Sequence, residues 1–303
     1  MDLAVTPGYR ALRENVAWID LSTRGKIHVK GEDRARLLHA MTTNHVEQLT
    51  PGQGCYAFFL SAQGRILADV NILCFEDHFL LDTEPETRQR VFEHLDRYII
   101  ADDVTLEDVT NQWATIAVEG PDAVRVMDVE IPPYGWVHKG SSIVARLNST
   151  GSDGFFIFAP IAEKHQLIAG LGVPEASAED ARTVRIEHGR PRFGEEITER
   201  YLAQETDQLH AVHFNKGCYL GQEIVERVRS RAQIHRILRR LEIDTAEPPA
   251  PGTKTDQAEI VSAAFSPALG KTVAMAYVHV SFSEPGTELL IGDHAARVAE
   301  PAH

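Results

Sequence analysis

The sequence predicts an α+β fold that ends in a small β-barrel. Two observations carry this prediction. A strand–turn–helix unit occurs twice in the first half of the chain, and short strands separated by turns fill most of residues 236–303. Alternation of apolar and polar residues indicates the strands, and apolar spacing of three and four residues indicates the helices.

The composition of the 303 residues is ordinary for a soluble protein, with 43% hydrophobic and 24% charged residues. No apolar run reaches the ~18 residues of a membrane span, and the N-terminus lacks an apolar signal core. The net charge of −14 would repel phosphates, which disfavours general binding to nucleic acids. Three dispersed cysteines suit a reducing compartment. We therefore expect a cytoplasmic monomer of two or three domains that contacts no membrane.

The repeated unit spans residues 26–41 and again residues 115–127. In each copy an alternating strand is followed by a glycine turn and an amphipathic helix. Five positions correspond at a constant offset: Ile27, Val29, Gly31, Asp33 and Arg36 match Ile116, Val118, Gly120, Asp122 and Arg125. The match indicates either a duplicated α/β unit or a chance similarity between two units of this type.

Between the copies, residues 55–75 predict two strands joined by a turn at residues 61–64, and "HFLLD" predicts a further strand. The stretch "PETRQRVFEHLDRYI" predicts a helix with Val91, Leu95 and Tyr98 on one face.

A second helix is predicted over residues 177–191, after a loop and short strand at residues 151–160. Ser177 can cap its start, and Gly189 marks its end. Glu187 then lies in the last turn, where its charge faces the negative end of the helix dipole. A carboxylate in this unfavourable position suggests a role beyond solubility.

The final part of the chain begins with a strand at residues 236–243. A loop rich in proline and glycine follows at residues 247–257, and further short strands separated by turns complete the chain. This pattern is typical of a small barrel or sandwich.

The stretch "KGCYLGQE", residues 216–223, combines a lysine, a glycine turn and a cysteine ahead of a helical pattern. Lys216 and a nearby helix start would favour the thiolate of Cys218, and hence reactivity or affinity for a soft metal. The alternative is a buried structural cysteine. Cys55 and Cys74 lie in strand patterns, where we expect the structural role.

The sequence contains no metal-binding, Walker or dinucleotide motif, so we predict no metal site. Four histidines, His45, His210, His213 and His235, stay candidates for ligands that the fold brings together.

A cluster of arginines runs against the acidic trend of the chain. Its members are Arg227, Arg229, Arg231, Arg236, Arg239 and Arg240. The cluster is either a solvated basic face or a site for an anionic ligand tail, because guanidinium groups pair well with carboxylates.

The string "KGCYLGQE", preceded by "RIEHGRPRFGEE" and followed by "SAAFSPALGKTVAMAYV", resembles the YgfZ-type folate-binding protein family. That family is related to the glycine-cleavage T-protein and includes mitochondrial iron–sulfur assembly factors. The resemblance implies a T-protein-like, three-part ring around a central folate cavity. Residues 1–235 would form the folate-binding module from two interleaved α/β subdomains, and residues 236–303 the C-terminal β-barrel domain.

The resemblance also implies site residues. Tyr56 matches a tyrosine that helps to hold folate, Glu187 a glutamate that binds the pterin, and Lys216 a nearby basic residue. A carboxylate suits a pterin edge, which offers two parallel donors. Arg227, in the arginine cluster, is predicted to bind the folate tail. Cys218 is predicted to be the functional thiol.

One position departs from the T-protein pattern. The aspartate that serves folate chemistry there aligns with Ala68, and Asp69 matches the neighbouring acid. Alanine cannot hold or transfer a proton, which argues against aminomethyl transfer by that route.

Three functions follow from the resemblance. The preferred one is an accessory protein for iron–sulfur cluster assembly or repair that binds tetrahydrofolate or a polyglutamylated derivative, with iron–sulfur proteins or assembly factors as partners. The alternative is a folate-dependent one-carbon enzyme, an aminomethyltransferase or demethylase. A folate-binding scaffold with an inert cysteine is the third.

Overall fold

The structure, a computed structural model, describes residues 5–231 and 234–300, except the side chain of Arg231. Fifteen β-strands and seven α-helices lie within these ranges. The helices are α1 (Pro7–Glu14), α2 (Arg34–Met41), α3 (Arg88–Tyr98), α4 (Ala123–Met127), α5 (Lys164–Leu171), α6 (Ala178–Glu187) and α7 (Gln222–Arg231).

The strands form three five-stranded sheets. In chain order they are β1 (Ala17–Asp20), β2 (Gly25–Lys30), β3 (Gly54–Leu60), β4 (Ile66–Cys74), β5 (His78–Thr83), β6 (Thr105–Asp108), β7 (Trp113–Glu119), β8 (Trp136–Lys139), β9 (Ser142–Ala145), β10 (Gly154–Pro160), β11 (Arg236–Ile243), β12 (Ala258–Ser266), β13 (Lys271–His279), β14 (Glu288–Ile291) and β15 (His294–Val298). The first sheet has the order β3-β4-β5-β2-β6, the second β1-β7-β10-β9-β8 and the third β12-β13-β11-β15-β14.

Both predicted strand–turn–helix units are present, as β2–α2 in the first sheet and β7–α4 in the second. Gly31 and Gly120 turn the chain between strand and helix with φ angles of 102° and 135°. A Cβ atom at Gly31 would lie 2.0 Å from the carbonyl oxygen of Asp103, and one at Gly120 would lie 2.4 Å from that of Asn15. The two corresponding glycines therefore serve the same purpose, a left-handed turn against neighbouring backbone.

The predicted elements of the first unit also form. Strands β3 and β4 pair around the turn at residues 61–64, and α3 buries Val91 and Leu95. Tyr98, placed by the sequence on the same face, is 39% exposed. It is the last residue of α3, and its ring contacts the edge of the His94 ring, 5.4 Å away.

The sequence gives no signal for α1 and β1, which are short but join distant parts of the chain. Thr6 caps α1 by accepting a hydrogen bond from the backbone nitrogen of Tyr9. Helix α1 packs against α6, and β1 pairs antiparallel with β7. The chain thus enters the second sheet with β1, builds the first sheet, and returns to the second sheet with β7.

The C-terminal strands form the third sheet, and its strands β12 and β13 pack against α6. Ser177 and Asp180 form a capping box that stabilises the start of α6. The predicted α+β class is confirmed. Among the described residues, no helix is long and apolar enough to cross a membrane.

Candidate functional site

A cavity of about 550 Å³ lies between the first sheet, the second sheet and α6. We call it the central cavity. Its lining includes Leu21, Arg24, Tyr56, Asp69, Asn71, Glu84, Asn148, Phe156, Arg182, Arg185, Arg190, Arg192 and Glu195. A concave site with apolar and charged walls suits a small organic ligand.

Tyr56 and Asp69 form one wall of the cavity. In the β3–β4 ladder Tyr56 is paired with Asn71, and Phe58 with Asp69. Tyr56 and Asp69 therefore lie on the same face of the sheet. The Tyr56 hydroxyl donates a hydrogen bond to Oδ2 of Asp69 over 2.9 Å. The Oδ1 atom of Asp69 is buried and has no hydrogen-bond partner within the described ranges.

The environment of Asp69 favours its protonated form. Burial, reinforced by the nearby charge of Glu84, raises the pKa of Asp69 to about 6, although Arg24 and Arg190 act in the opposite direction. Burial and the charge of Asp69 also raise the pKa of Tyr56 well above its usual range. A carboxyl group with a pKa near neutrality can take up and release protons during a reaction.

Ala68 lies on the opposite face of β4. It is fully buried, paired with Phe59, and belongs to the apolar core of the first sheet. The residue that faces the cavity from this part of the strand is Asp69. An acid is therefore present in the cavity wall one position after Ala68.

A network of ion pairs holds the floor of the cavity. Arg24 donates to both carboxylate oxygens of Asp82, at 2.9 and 2.8 Å, and also pairs with Glu84. Asn71 donates to Oδ2 of Asp82 over 2.8 Å, and Arg192 pairs with Glu84 over 3.0 Å. Although burial acts against ionisation, Arg24 and Arg192 lower the pKa of Glu84. The network holds the strand ends around Asp69 in place through buried arginines and carboxylates that pair with one another.

Glu187 is placed away from the cavity wall. Residues 182 and 185 of α6 line the cavity, and Glu187, two residues further on, faces α1 instead. Tyr9 donates to its Oε1 over 2.6 Å, and Arg13 lies 3.4 Å from its Oε2. Glu187 thus fastens α6 to α1, and its predicted contact with the pterin stays a prediction.

Lys216 is buried and serves α2. Its Nζ donates to the carbonyl oxygens of His39, Thr42 and Asn44, at 2.5, 2.6 and 2.7 Å. Burial lowers the pKa of Lys216 to about 7, although Cys55 and Glu47 act in the opposite direction. These carbonyls lie at and just beyond the C-terminal end of α2, so that Lys216 caps this helix.

Cys218 is exposed, whereas Cys55 is half-buried and Cys74 is buried. The stretch around Cys218 docks on the β3–β4 turn through Gly221, which has a φ of 84°. A Cβ atom at Gly221 would lie 2.6 Å from the carbonyl oxygen of Ser61. Neither Cys218 nor Lys216 is among the residues that line the central cavity.

The described arginines of the predicted cluster pair with acids and lie outside the central cavity. The pairs are Arg227 with Glu223, Arg229 with Glu226, Arg236 with Glu205, Arg239 with Asp207 and Arg240 with Glu242. The side chain of Arg231 lies outside the described residues. Of the five site residues predicted from the sequence, Tyr56 alone lines the cavity.

Three histidines come together beside Lys216. The ring of His45 lies 4.5 Å from that of His39 and 5.2 Å from that of His213, centroid to centroid. Within the described ranges, no group of three or more histidine, cysteine, aspartate or glutamate side chains has the arrangement of a metal site. His210, another of the four candidate histidines, stacks on Tyr56 near the cavity, with a centroid distance of 5.3 Å.

The chain is an α+β protein with three sheets and, between the first two, an acid-bearing cavity of a size that suits a small ligand. Comparison with known families identifies its family. The GCVT N-terminal domain matches residues 1–216, and the glycine cleavage T-protein C-terminal barrel domain matches residues 239–302. The chain therefore belongs to the GCVT family.

Curated relatives and a solved structure agree with this assignment. A putative chloroplastic transferase of Arabidopsis thaliana is 32% identical over 234 residues, which cover 72% of this chain and 54% of that protein. The chain thus spans about half the length of this relative. An aminomethyltransferase of Rubrobacter xylanophilus is 29% identical over 304 residues, covering 93% of this chain and 81% of that protein.

The crystal structure of glycine cleavage system aminomethyltransferase T from Bartonella henselae superposes with a TM-score of 0.87 at 22% identity. The superposition covers 99% of this chain and 89% of the Bartonella henselae chain. The predicted T-protein-like fold is confirmed. The narrower YgfZ branch stays a prediction.

Proposed function

We propose that the chain is a tetrahydrofolate-dependent one-carbon transferase, with Asp69 as the group that holds and moves a proton. The observation that carries the proposal is the position of Asp69, which is buried in the cavity wall with one oxygen hydrogen-bonded to Tyr56 and the other without a partner in the described chain. Relatives that span most of this chain are named aminomethyltransferases, which supports the same chemistry.

The cavity offers acceptors for the donor groups of a pterin. Asp69 Oδ1 and Asn71 Oδ1 are buried, lack hydrogen-bond partners in the part of the chain described, and belong to cavity-lining residues. Leaving such atoms unpaired costs free energy, and a ligand with amino and ring N–H groups would recover it. The residues present therefore fit a folate ligand.

Each residue has a distinct part in the proposed reaction. Tetrahydrofolate, when bound, supplies the nitrogens that accept the one-carbon unit. Asp69 accepts or returns a proton at Oδ1, Tyr56 fixes the carboxyl group by donating to Oδ2, and the ion pairs of Arg24 keep the strand ends in place. Because the site is buried, bulk water does not weaken these electrostatic interactions.

The experiment measures transfer of an aminomethyl group from a lipoyl carrier protein to tetrahydrofolate. The methylene carbon breaks its bonds to the carrier sulfur and to the amine and forms bonds to two folate nitrogens. Those nitrogens lose two protons: one goes to the amine, released as ammonia, and one to the carrier sulfur, which becomes a thiol. The wild type should release ammonia, and Asp69→Asn should lower the rate by roughly a hundredfold or more. Asp122→Asn, which alters an exposed pair on α4, is the control. An unchanged rate in Asp69→Asn would refute the proposal.

A second candidate is the accessory role in iron–sulfur cluster assembly or repair. The observation that favours it is the exposure of Cys218, which leaves its thiol open to a partner or a soft metal. Wild type and Cys218→Ser should be compared for complementation of a strain that lacks its YgfZ-type factor. Rescue by the wild type alone would support this candidate. Equal rescue by both would show that the Cys218 thiol is not needed for this role.

The remaining features of the proposal concern the ligand form and the partners. Tetrahydrofolate is the proposed ligand. The polyglutamylated derivative, the iron–sulfur partners, the monomeric state and the boundary between a folate module at residues 1–235 and a barrel at residues 236–303 stay predictions from the sequence.

A further inference from the structure

A loop between β9 and β10 contributes to the wall of the central cavity. Two of its residues, Asn148 and Ser149, line the cavity. We call residues 148–151 the wall loop. Neither Asn148 nor Ser149 takes part in the proton transfer proposed for Asp69, so their contribution to the site has to be derived from the contacts of the wall loop itself.

Glu119, the last residue of β7, is fully buried and binds the wall loop. Its Oε1 atom accepts from the backbone nitrogen and the hydroxyl of Ser149, both at 2.7 Å. Its Oε2 atom accepts from the backbone nitrogen of Thr150 at 2.8 Å and from the hydroxyl of Thr150. Each carboxylate oxygen thus faces a backbone N–H, which can only donate. An amide side chain would place its NH₂ group against one of these donors, so a carboxylate is required.

The wall loop is also bound from the C-terminal end of α6. Nδ1 of His188 lies 3.0 Å from the carbonyl oxygen of Thr150, and Nη1 of Arg13 lies 2.9 Å from Nε2 of His188. Because a guanidinium only donates, Nε2 is the acceptor, and Nδ1 carries the proton that is donated to Thr150. Burial lowers the pKa of His188, which favours this neutral form. The wall loop is therefore held by β7 on one side and by α6 on the other.

These contacts leave Asn148 with one free donor group. The backbone nitrogen of Gly151 donates to Oδ1 of Asn148 over 3.1 Å, which fixes the orientation of the amide. The Nδ2 atom has no hydrogen-bond partner within residues 5–231 and 234–300, and the side chain is half-buried in the cavity wall. Asn148 thus offers a donor, whereas Asp69 and Asn71 offer acceptors without partners in those ranges.

We propose that Asn148 donates a hydrogen bond to an acceptor atom of bound tetrahydrofolate, and that Glu119 is a positioning residue that holds the wall loop for this contact. The proposal rests on the one-carbon transferase function and adds two residues to its binding site. Tetrahydrofolate carries acceptors in its pterin and benzoyl parts and in its glutamyl group, and the experiment separates these two sources.

Calorimetry with tetrahydrofolate should first compare the wild type with two variants of Asn148. Asn148→Ala should weaken binding by roughly twofold to tenfold, the scale of one lost neutral hydrogen bond. Asn148→Asp should weaken it by roughly tenfold to a hundredfold, because an acceptor then faces the acceptor of the ligand. Asp122→Asn, which alters an exposed pair on α4, should bind as the wild type does.

A double variant tests whether Glu119 acts through Asn148. Glu119→Gln alone should weaken binding by roughly twofold to tenfold, because the amide disrupts half of the contacts to the wall loop. In the Asn148→Ala background the same change should cost less than about twofold, since the contact it supports is already absent. A merely structural role of Glu119 would give losses that add. Urea unfolding checks that each variant is folded.

Tetrahydropteroate, which lacks the glutamyl group, identifies the part of the ligand that Asn148 contacts. If Asn148→Ala weakens the binding of both ligands, the acceptor lies in the pterin or benzoyl part. If only tetrahydrofolate is affected, the acceptor lies in the glutamyl group. Both results support the contact.

The proposal is wrong if tetrahydrofolate binds the wild type and both variants of Asn148 with equal affinity. Additive losses in the double variant would overturn the role of Glu119. The proposed function fails by different results, namely no binding of tetrahydrofolate to the wild type or normal turnover by Asp69→Asn. Neither result depends on how the variants of Asn148 compare with one another.

Discussion

Asp69 and Ala68 are neighbours in sequence with opposite surroundings. Asp69 faces the central cavity, and Ala68 packs in the apolar core of the first sheet. Tyr56 could be found from the resemblance, because it matches a T-protein tyrosine that precedes the hairpin turn. Asp69 could have been found as well, since pairing β3 with β4 places it on the face of Tyr56. Aligning single positions instead directed attention to Ala68.

The raised pKa of Asp69 predicts that ionisation of its carboxyl group lowers the free energy of unfolding. Its folded pKa of about 6 lies above the ordinary value of 3.8, so that the protonated form stabilises the fold at low pH. This stabilisation is complete below about pH 4 and is lost as the pH rises through 6. The Asp69→Asn variant keeps an acceptor for Tyr56. Its free energy of unfolding should therefore be about 2–3 kcal/mol higher than that of the wild type at pH 8.

Urea unfolding at pH 4 and pH 8 checks this prediction. The two proteins should differ little at pH 4, where the wild-type carboxyl is protonated. A variant that is less stable than the wild type at pH 8 would show that the charged form of Asp69 is compensated in the cavity. A stability gain combined with lost turnover is the expected signature of a residue kept for function.

Cys218 should be the fastest thiol to react. It is exposed, whereas burial raises the pKa of Cys55 to about 12 and also raises that of Cys74. Mass spectrometry after brief treatment with iodoacetamide should find Cys218 modified at least about tenfold faster than the other two. Because Cys218 does not line the central cavity, bound tetrahydrofolate should leave its rate unchanged. Protection by the ligand would indicate a folate site closer to this stretch.

At the scale of elements, periodicity predicted the structure where apolar faces were long and regular. The strand at residues 236–243 matches β11 residue for residue, and the capped helix from Ser177 matches α6. Helix α1 has eight residues and strand β1 has four, which is too few to show a periodic apolar pattern, so both were missed. Their packing depends on α6 and β7, which lie far away in the sequence. The path of α1 also explains why Tyr9 donates to Oε1 of Glu187, whose Oε2 has no hydrogen-bond partner in the described chain.

The two glycines of "KGCYLGQE" give a matched pair of variants. Gly221 has a positive φ and touches the backbone of Ser61, whereas a Cβ atom at Gly217 would meet nothing closer than 3.7 Å. Gly221→Ala should lower the free energy of unfolding by about 1–3 kcal/mol, and Gly217→Ala should change it by about 0.5 kcal/mol or less. Chemical denaturation measures both. Equal effects would mean that the stretch does not dock on the β3–β4 turn through Gly221.

At the scale of the whole molecule, the cavity depends on parts that are far apart in sequence. Strands β3 and β4 supply Tyr56 and Asp69, and the second sheet supplies Phe156. Helix α6 and the segment after it supply four of the five arginines, and Arg24 comes from the segment before β2. The sequence predicted these parts and their class, but not which side chains meet, because pairing across the cavity follows from packing that local patterns do not encode.

The distribution of charge over the whole molecule makes a prediction about the length of the folate tail. The predicted arginine cluster would favour polyglutamylated folate, but its described members pair with acids, and the chain carries a net charge of −14. Added glutamates then gain no free cation from the described members of the cluster and meet an acidic surface. Tetrahydrofolate with three glutamates should bind within about twofold of the monoglutamate in low salt, with no advantage that fades on adding salt. Calorimetry at two ionic strengths decides the matter, since a large gain at low salt that disappears at high salt would assign the tail to these arginines.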